Sequence, residues 1–166
     1  MANYYCSTRT NYFHVNDPDS FREFMAHVEG CEEDVQLWEE KDAEGNPVFG
    51  FGCDGNIFGY VEHNLPVDCD PAFNGDVTID DEGLDEDDGP DYDVCYSAFV
   101  KGLQEHVADN DAVIIFESGH EKLRYVVGSA VIITKTDVEY VNIEDAAIAQ
   151  ARQMLNNDSF TTQCDY

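Results

Sequence analysis

Residues 112–134 read AVIIFESGHEKLRYVVGSAVIIT, and this stretch decides the fold class. Residues 112–116 and 123–134 are rich in β-branched side chains, which suit a pleated surface better than a helix. They read as two strands, with the polar run from Glu117 to Lys122 as the turn between them. Gly128-Ser129 interrupts the second run and reads as a bulge or as a further tight turn.

Working outward, residues 138–143 form another strand. Asn142 is placed to cap a helix over residues 143–155, with Asp145 three residues on. On the other side, residues 92–108 carry Cys95, Phe99, Leu103 and Val107 on one helical face. Nearer the N-terminus, residues 3–15 are rich in Tyr, Thr and Phe and read as a strand. Asp17-Pro18 then has the form of an N-cap followed by proline at the first helical position. Phe21, Phe24, Met25 and Val28 follow at helical spacing, with Gly30 as the stop, so a helix is expected over residues 17–29. Residues 35–41 and 47–53 have strand character and are linked by the turn-rich run from Asp42 to Asn46, which predicts a hairpin. Residues 57–63 add a further strand. The resulting order, β-α-β-β-loop-α-β-β-β-α, predicts an α+β domain spanning residues 1–166. Antiparallel sheet with about three helices packed on one face is the expected arrangement.

One segment fits neither period. Residues 62–93 hold 13 acids and no Lys or Arg. The densest part is Asp80, Asp81, Glu82, Asp85, Glu86, Asp87, Asp88, Asp91 and Asp93, nine acids in fourteen residues. Gly83, Gly89 and Pro90 lie among them. This reads as a long acidic loop inserted in the domain.

The charge is not confined to that loop. The 166-residue chain has 36 Asp and Glu against 8 Lys and Arg, a formal net charge of -28. Residues 1–61 carry 12 acids and 3 bases, residues 62–94 carry 13 and none, and residues 95–166 carry 11 and 5. The folded segments are therefore acidic as well. Such a molecule repels nucleic acid and anionic lipid and attracts basic surfaces, with on-rates that fall as salt rises. Its hydrophobic content of 43% is enough for a packed core. No run approaches the roughly 20 apolar residues of a membrane span. Residues 1–10 carry no apolar run of signal-peptide type, so a cytoplasmic location is expected. In that compartment Cys6, Cys31, Cys53, Cys69, Cys95 and Cys164, which lack CxxC spacing, are expected to be thiols.

The motifs that suggest other chemistry are weak. Gly50-Phe51-Gly52-Cys53-Asp54-Gly55 matches GxGxxG, but turn and strand follow it where a dinucleotide site needs a helix. Its glycines read as bulges or tight turns. Asp68, Asp70, Asp76, Asp80, Asp81 and Glu82 lack the EF-hand order of ligands, which leaves weak calcium binding at most. Cys53, His63 and Cys69 match no common zinc spacing. Ser118, His120 and Glu121 lie close in sequence, yet catalytic groups converge from distant segments, so a polar turn is the simpler reading. No catalytic residue, cofactor or metal is expected, and the chain is read as a binding protein rather than an enzyme.

In size, charge and absence of catalytic motifs the chain resembles the small acidic anti-defence proteins of phages and other mobile genetic elements. These are antirestriction and anti-CRISPR proteins that imitate DNA. Residues 116–125, FESGHEKLRY, also look like a segment of uncharacterised proteins from such elements. The resemblance covers composition only and transfers no individual residue. It implies an inhibitor that occupies the cationic groove of a DNA-binding or defence protein. B-DNA carries one charge per roughly 1.7 Å of axis, so 28 charges equal about 48 Å, or about 14 base pairs. The chain departs from elongated mimics in that its densest acids sit in an irregular stretch, which favours an electrostatic plug over a phosphate-like lattice. The competing readings are an acidic module that binds calcium or basic proteins without inhibiting them, and a generically solvated acidic domain. The nine acids from Asp80 to Asp93 are the expected partner-binding residues.

Overall fold

The α+β architecture with antiparallel pairing is present in the computed structural model, which describes residues 5–31, 33–62, 93–121 and 125–162. The strands are β1 (Tyr5–Thr10), β2 (Val28–Gly30), β3 (Gln36–Lys41), β4 (Pro47–Asp54), β5 (Ile57–Glu62), β6 (Asp93–Cys95), β7 (Val113–Glu121), β8 (Tyr125–Ile133) and β9 (Val138–Asn142). The helices are α1 (Pro18–Met25), α2 (Tyr96–His106) and α3 (Ile143–Leu155). One six-stranded sheet runs β3-β4-β1-β7-β8-β9 and a smaller one runs β2-β5-β6. Every pair of strands is antiparallel.

The local boundaries follow from caps and pairing. The Asp17 side chain accepts from the backbone N–H of Asp19 and Ser20 and starts α1 with proline behind it. That helix stops at Met25, four residues short of the expected end. The backbone of residues 28–30 pairs instead with β5, Val28 opposite Tyr60. Val28 is still buried, as the helical spacing implied, but it enters the core from a strand. Helix α2 is also shorter than expected, because Asp93–Cys95 pair with β5 before it begins. The Cys95 thiol, expected on the helix face, caps the helix by accepting from Ala98 N–H.

The largest correction concerns residues 117–122. Glu117 to Glu121 belong to β7; Glu117 to His120 pair in continuous register with both β1 and β8, and Glu121 pairs with β8. Being central, the strand has its backbone groups satisfied on both sides, so its polar residues need not turn. Gly128 and Ser129 lie in that same unbroken register, opposite Ser118 and Glu117, with neither bulge nor turn.

The core lies between the large sheet and helices α1 and α2. Phe13, Phe21, Phe49, Phe51, Phe99, Leu103, Val107, Val113 and Ile133 are almost completely buried there. Phe21 meets Phe49 edge-on at 5.1 Å between ring centres, and Phe24 stacks on Tyr60 at 5.1 Å. Helix α3 does not share this face. A Cβ on Gly128 would meet the Ile143 side chain at 3.0 Å. Gly128 pairs with Ser118, which points away from the core, so α3 meets the sheet from the other side.

The glycines of the GxGxxG run act in two ways. Gly50 and Gly52 lie in the regular ladder of β4, and a Cβ on Gly52 would approach the Thr8 carbonyl oxygen to 2.4 Å. The absent side chain is what lets β1 and β4 pair there. Gly55, at φ +90°, makes the tight turn into β5. The strand that follows gives no helix N-terminus on which a pyrophosphate would rest.

Candidate functional site

Of the nine expected partner-binding acids, Asp80, Asp81, Glu82, Asp85, Glu86, Asp87, Asp88 and Asp91 lie outside the described residues. Asp93 opens β6, opposite Glu62 at the end of β5. The two ends of the acidic segment are thus joined in one antiparallel ladder, and the segment leaves and re-enters the small sheet at adjacent positions. Of the residues considered for metals, Asp68, Asp70, Asp76, His63 and Cys69 also lie outside the described residues, while Cys53 is buried in the core. Among the described residues, no group of three or more His, Cys, Asp or Glu side chains is placed to hold a metal ion.

Most acids of the described part of the molecule are exposed, while Asp42, Asp111 and Glu117 are half-buried. Several of the cations are engaged by these acids. Arg22 forks onto Glu39 with contacts of 2.9 and 3.0 Å and also reaches Asp19. Lys135 pairs with Asp109. Arg9 lies over the Trp38 ring, 5.0 Å from its centre. Arg152 donates to the carbonyl of Phe160. The edge made by α1 and β3 therefore presents Asp17, Asp19, Glu23, Glu39, Glu40 and Glu44 on exposed positions, with Arg22 held among them. The Glu40 carboxylate accepts from the Tyr12 hydroxyl at 2.9 Å and holds that phenol above its usual pKa.

Next to this edge is a constellation that the sequence does not announce. The His14 ring contacts Asp111 Oδ2 through Nδ1 at 2.7 Å and Asp42 Oδ2 through Nε2 at 3.0 Å. The His14 backbone N–H also donates to Asp111 Oδ2 at 2.8 Å. A ring with a carboxylate on each nitrogen can donate to both only as imidazolium. Accordingly, the hydrogen bonds to Asp42 and then Asp111 raise the His14 pKa, and His14 in turn holds Asp42 low. Burial pushes Asp111 up, but its bonds from the His14 backbone and ring outweigh this and the net shift is downward. The three residues come from the β1–α1 link, the β3–β4 turn and the α2–β7 link, so the cluster clasps three connections at one end of the sheet.

This clasp has a calculable pH dependence. A histidine whose folded pKa lies above the unfolded value of about 6.5 adds stability below pH 6.5. That contribution is lost as pH rises through the folded value. The lowered carboxylates contribute above about pH 4 and lose their contribution on acidification. His14→Ala is therefore expected to lower the melting midpoint by roughly 2–6 °C at pH 5.5, and by clearly less at pH 8.5. Equal losses at both pH values in thermal melts would show that the ring acts by packing alone.

Of Ser118, His120 and Glu121, the first two are described with their side chains. The pleat places Ser118 and His120 on the exposed face of β7, about 6.8 Å apart along the strand. His120 lies instead beside the Tyr5 ring, at 6.2 Å between centres. No helix among the described residues is long and apolar enough to cross a membrane. No protein-family model, curated protein or solved structure matches the chain.

Proposed function

We propose that this chain is a DNA-mimic inhibitor, a folded acidic protein that occupies the cationic groove of a host DNA-binding or defence protein of restriction or CRISPR type. The observation that carries this reading is the net charge of -28, distributed over folded segments as well as the acidic one. The outward placement of the described carboxylates supports it, because charge held at a surface is available to a partner. The sheet and its aromatic core supply rigidity, which lowers the ordering cost of binding. The pairing of Glu62 with Asp93 brings the two residues that flank the densest acids together at one end of the small sheet. The partner is a basic protein surface, in the cytoplasm, and neither nucleic acid nor membrane. The nine acids from Asp80 to Asp93 are assigned as its main contact, and no cofactor or catalytic residue is required.

Capture from a cell lysate tests the class of partner. Immobilised protein at about 50 mM salt is expected to retain a nuclease, methyltransferase or polymerase subunit that elutes by about 200 mM, as protein–DNA complexes dissociate. Recovery of ribosomal and histone-like proteins alone would show nonspecific polyanion behaviour and favour the generically solvated acidic domain.

A further inference from the structure

Glu117 occupies a position that a strand of this kind normally gives to an apolar residue. Along β7, Val113 and Ile115 point into the core and are 0% and 4% exposed, and Glu117 is next on that same face. It lies opposite Thr8 of β1 and Ser129 of β8, so the three strands present a polar row at the edge of the core. Beside this row is a cavity of about 240 Å³, lined also by Asn56, Ile57, Tyr96, Ile115 and Val131. The Thr8 hydroxyl donates to the Gly55 carbonyl at 2.9 Å, and the Asn56 side-chain oxygen accepts from Cys6 Sγ at 2.5 Å. Both are thereby oriented. The Glu117 carboxylate and the Ser129 hydroxyl, in contrast, have no hydrogen-bond partner among the described residues. Neither group is sealed from solvent, so both stand open on the cavity and can accept from a donor that enters it.

We infer that this cavity is a binding site for a small organic cation, a primary ammonium group on a short apolar stem, with Glu117 receiving the ammonium. The chemistry of the lining selects that class. Thr8 and Ser129 offer hydroxyl oxygens as further acceptors beside the carboxylate. Ile57, Ile115 and Val131 provide apolar walls for the stem, and Tyr96 completes the lining. Burial pushes the Tyr96 phenol up to about 12, so it stays neutral and does not compete as an anion. The cavity is smaller than the roughly 300–1,000 Å³ of drug-sized sites, which suits a small ion and excludes a nucleotide. The strongly negative molecule raises the local concentration of any cation and repels anionic ligands. The ammonium could be a free amine or a lysine side chain presented by another protein. This site stands apart from the acidic segment and does not depend on the identity of an inhibited target.

The test is an amide NMR titration of the whole protein with n-pentylammonium, with 1-pentanol as the neutral counterpart and an N-acetyl-lysine amide as the side-chain form. Saturable shifts at Thr8, Asn56 and Ser129 are expected with pentylammonium and absent with pentanol. Lysine amide producing the same shifts would assign the site to a protein side chain, and pentylammonium alone producing them would assign it to a free amine. Glu117→Gln, which keeps the shape, is expected to weaken binding by about tenfold to a hundredfold, the loss typical of a charge-assisted hydrogen bond. Ser129→Ala gives a second, milder loss should Glu117→Gln fail to fold. Equal shifts with the alcohol, affinity unchanged in both variants, or shifts spread evenly over the acidic surface would overturn the inference.

Discussion

Replacing residues 80–92 with a Gly/Ser linker of equal length is expected to weaken partner binding by on the order of 10³-fold at about 50 mM salt. The exchange removes Asp80, Asp81, Glu82, Asp85, Glu86, Asp87, Asp88 and Asp91. It keeps Asp93, because Asp93 pairs with Glu62 and begins the strand that leads into α2. Each exposed charge pair contributes only about 0.2–1 kcal/mol, so eight together span a wide range centred near three or four powers of ten. The counterions released from a cationic groove make the effect salt-dependent, with log affinity falling linearly against log salt. The linker variant should therefore show both a weaker complex and a shallower salt slope, and it should lose more in association rate than it gains in dissociation rate. Circular dichroism would verify that the sheet is intact. A folded linker variant with full affinity at every salt concentration would remove this segment from the interface.

The second large effect concerns the core. Phe99 is 0% exposed and packs against Phe24, Phe51 and Tyr96, with ring centres 6.3, 5.9 and 5.7 Å away. It joins α2 to the large sheet and, through Phe24, to α1. Phe99→Ala removes these contacts and leaves a cavity in a layer of rings that cannot close over it. The expected cost is about 3–5 kcal/mol, a large share of the about 5–15 kcal/mol that holds an ordinary domain together. The melting midpoint should fall by roughly 6–20 °C. Phe99→Leu should cost less than half as much, since it keeps most of the volume. A fall of only a degree or two in Phe99→Ala would mean that α2 is not packed as described.

The sequence was readable where a local signal and the tertiary outcome agree. Helix α3 begins and ends where expected, because Asn142 caps it by accepting from Glu144 N–H and Asn156 ends it in the left-handed conformation. The hairpin of β3 and β4 and the antiparallel pairing follow from β-branched runs and a turn-rich link. Signals failed where partners decide. Ser118-Gly119-His120 has turn composition, yet two flanking strands hold it extended. Val28 has helical spacing from Phe24, yet β5 claims it as a strand. Strands β2 and β6 have only three residues each, too few for a period to be seen.

The candidate sites were less legible than the fold, for a related reason. His14, Asp42 and Asp111 are 28 and 97 residues apart along the chain where they bond, and only the folded connections bring them together. The available hint was that Asp42 falls in a turn-rich link and Asp111 between a helix and a strand, whereas His14 reads as part of the first strand, which ends at Thr10 in the structure. In the sequence alone Glu117 reads as part of a turn. Once β7 is seen to continue through it, the alternation Val113, Ile115, Glu117 puts a carboxylate on the core face. The charge of the chain, in contrast, was fully legible, because composition does not depend on which residues meet.

The central claim, that this acidic surface replaces DNA in a cationic groove, is tested most directly by competition. A labelled duplex of about 14 base pairs would be bound to the captured target at about 50 mM salt, and the unlabelled protein titrated in while fluorescence anisotropy reports the bound fraction. Complete displacement of the duplex at saturation, with an inhibition constant that weakens in step with rising salt, is the predicted result. A target that holds the duplex and this protein at the same time, with anisotropy rising or unchanged at saturation, would contradict the claim.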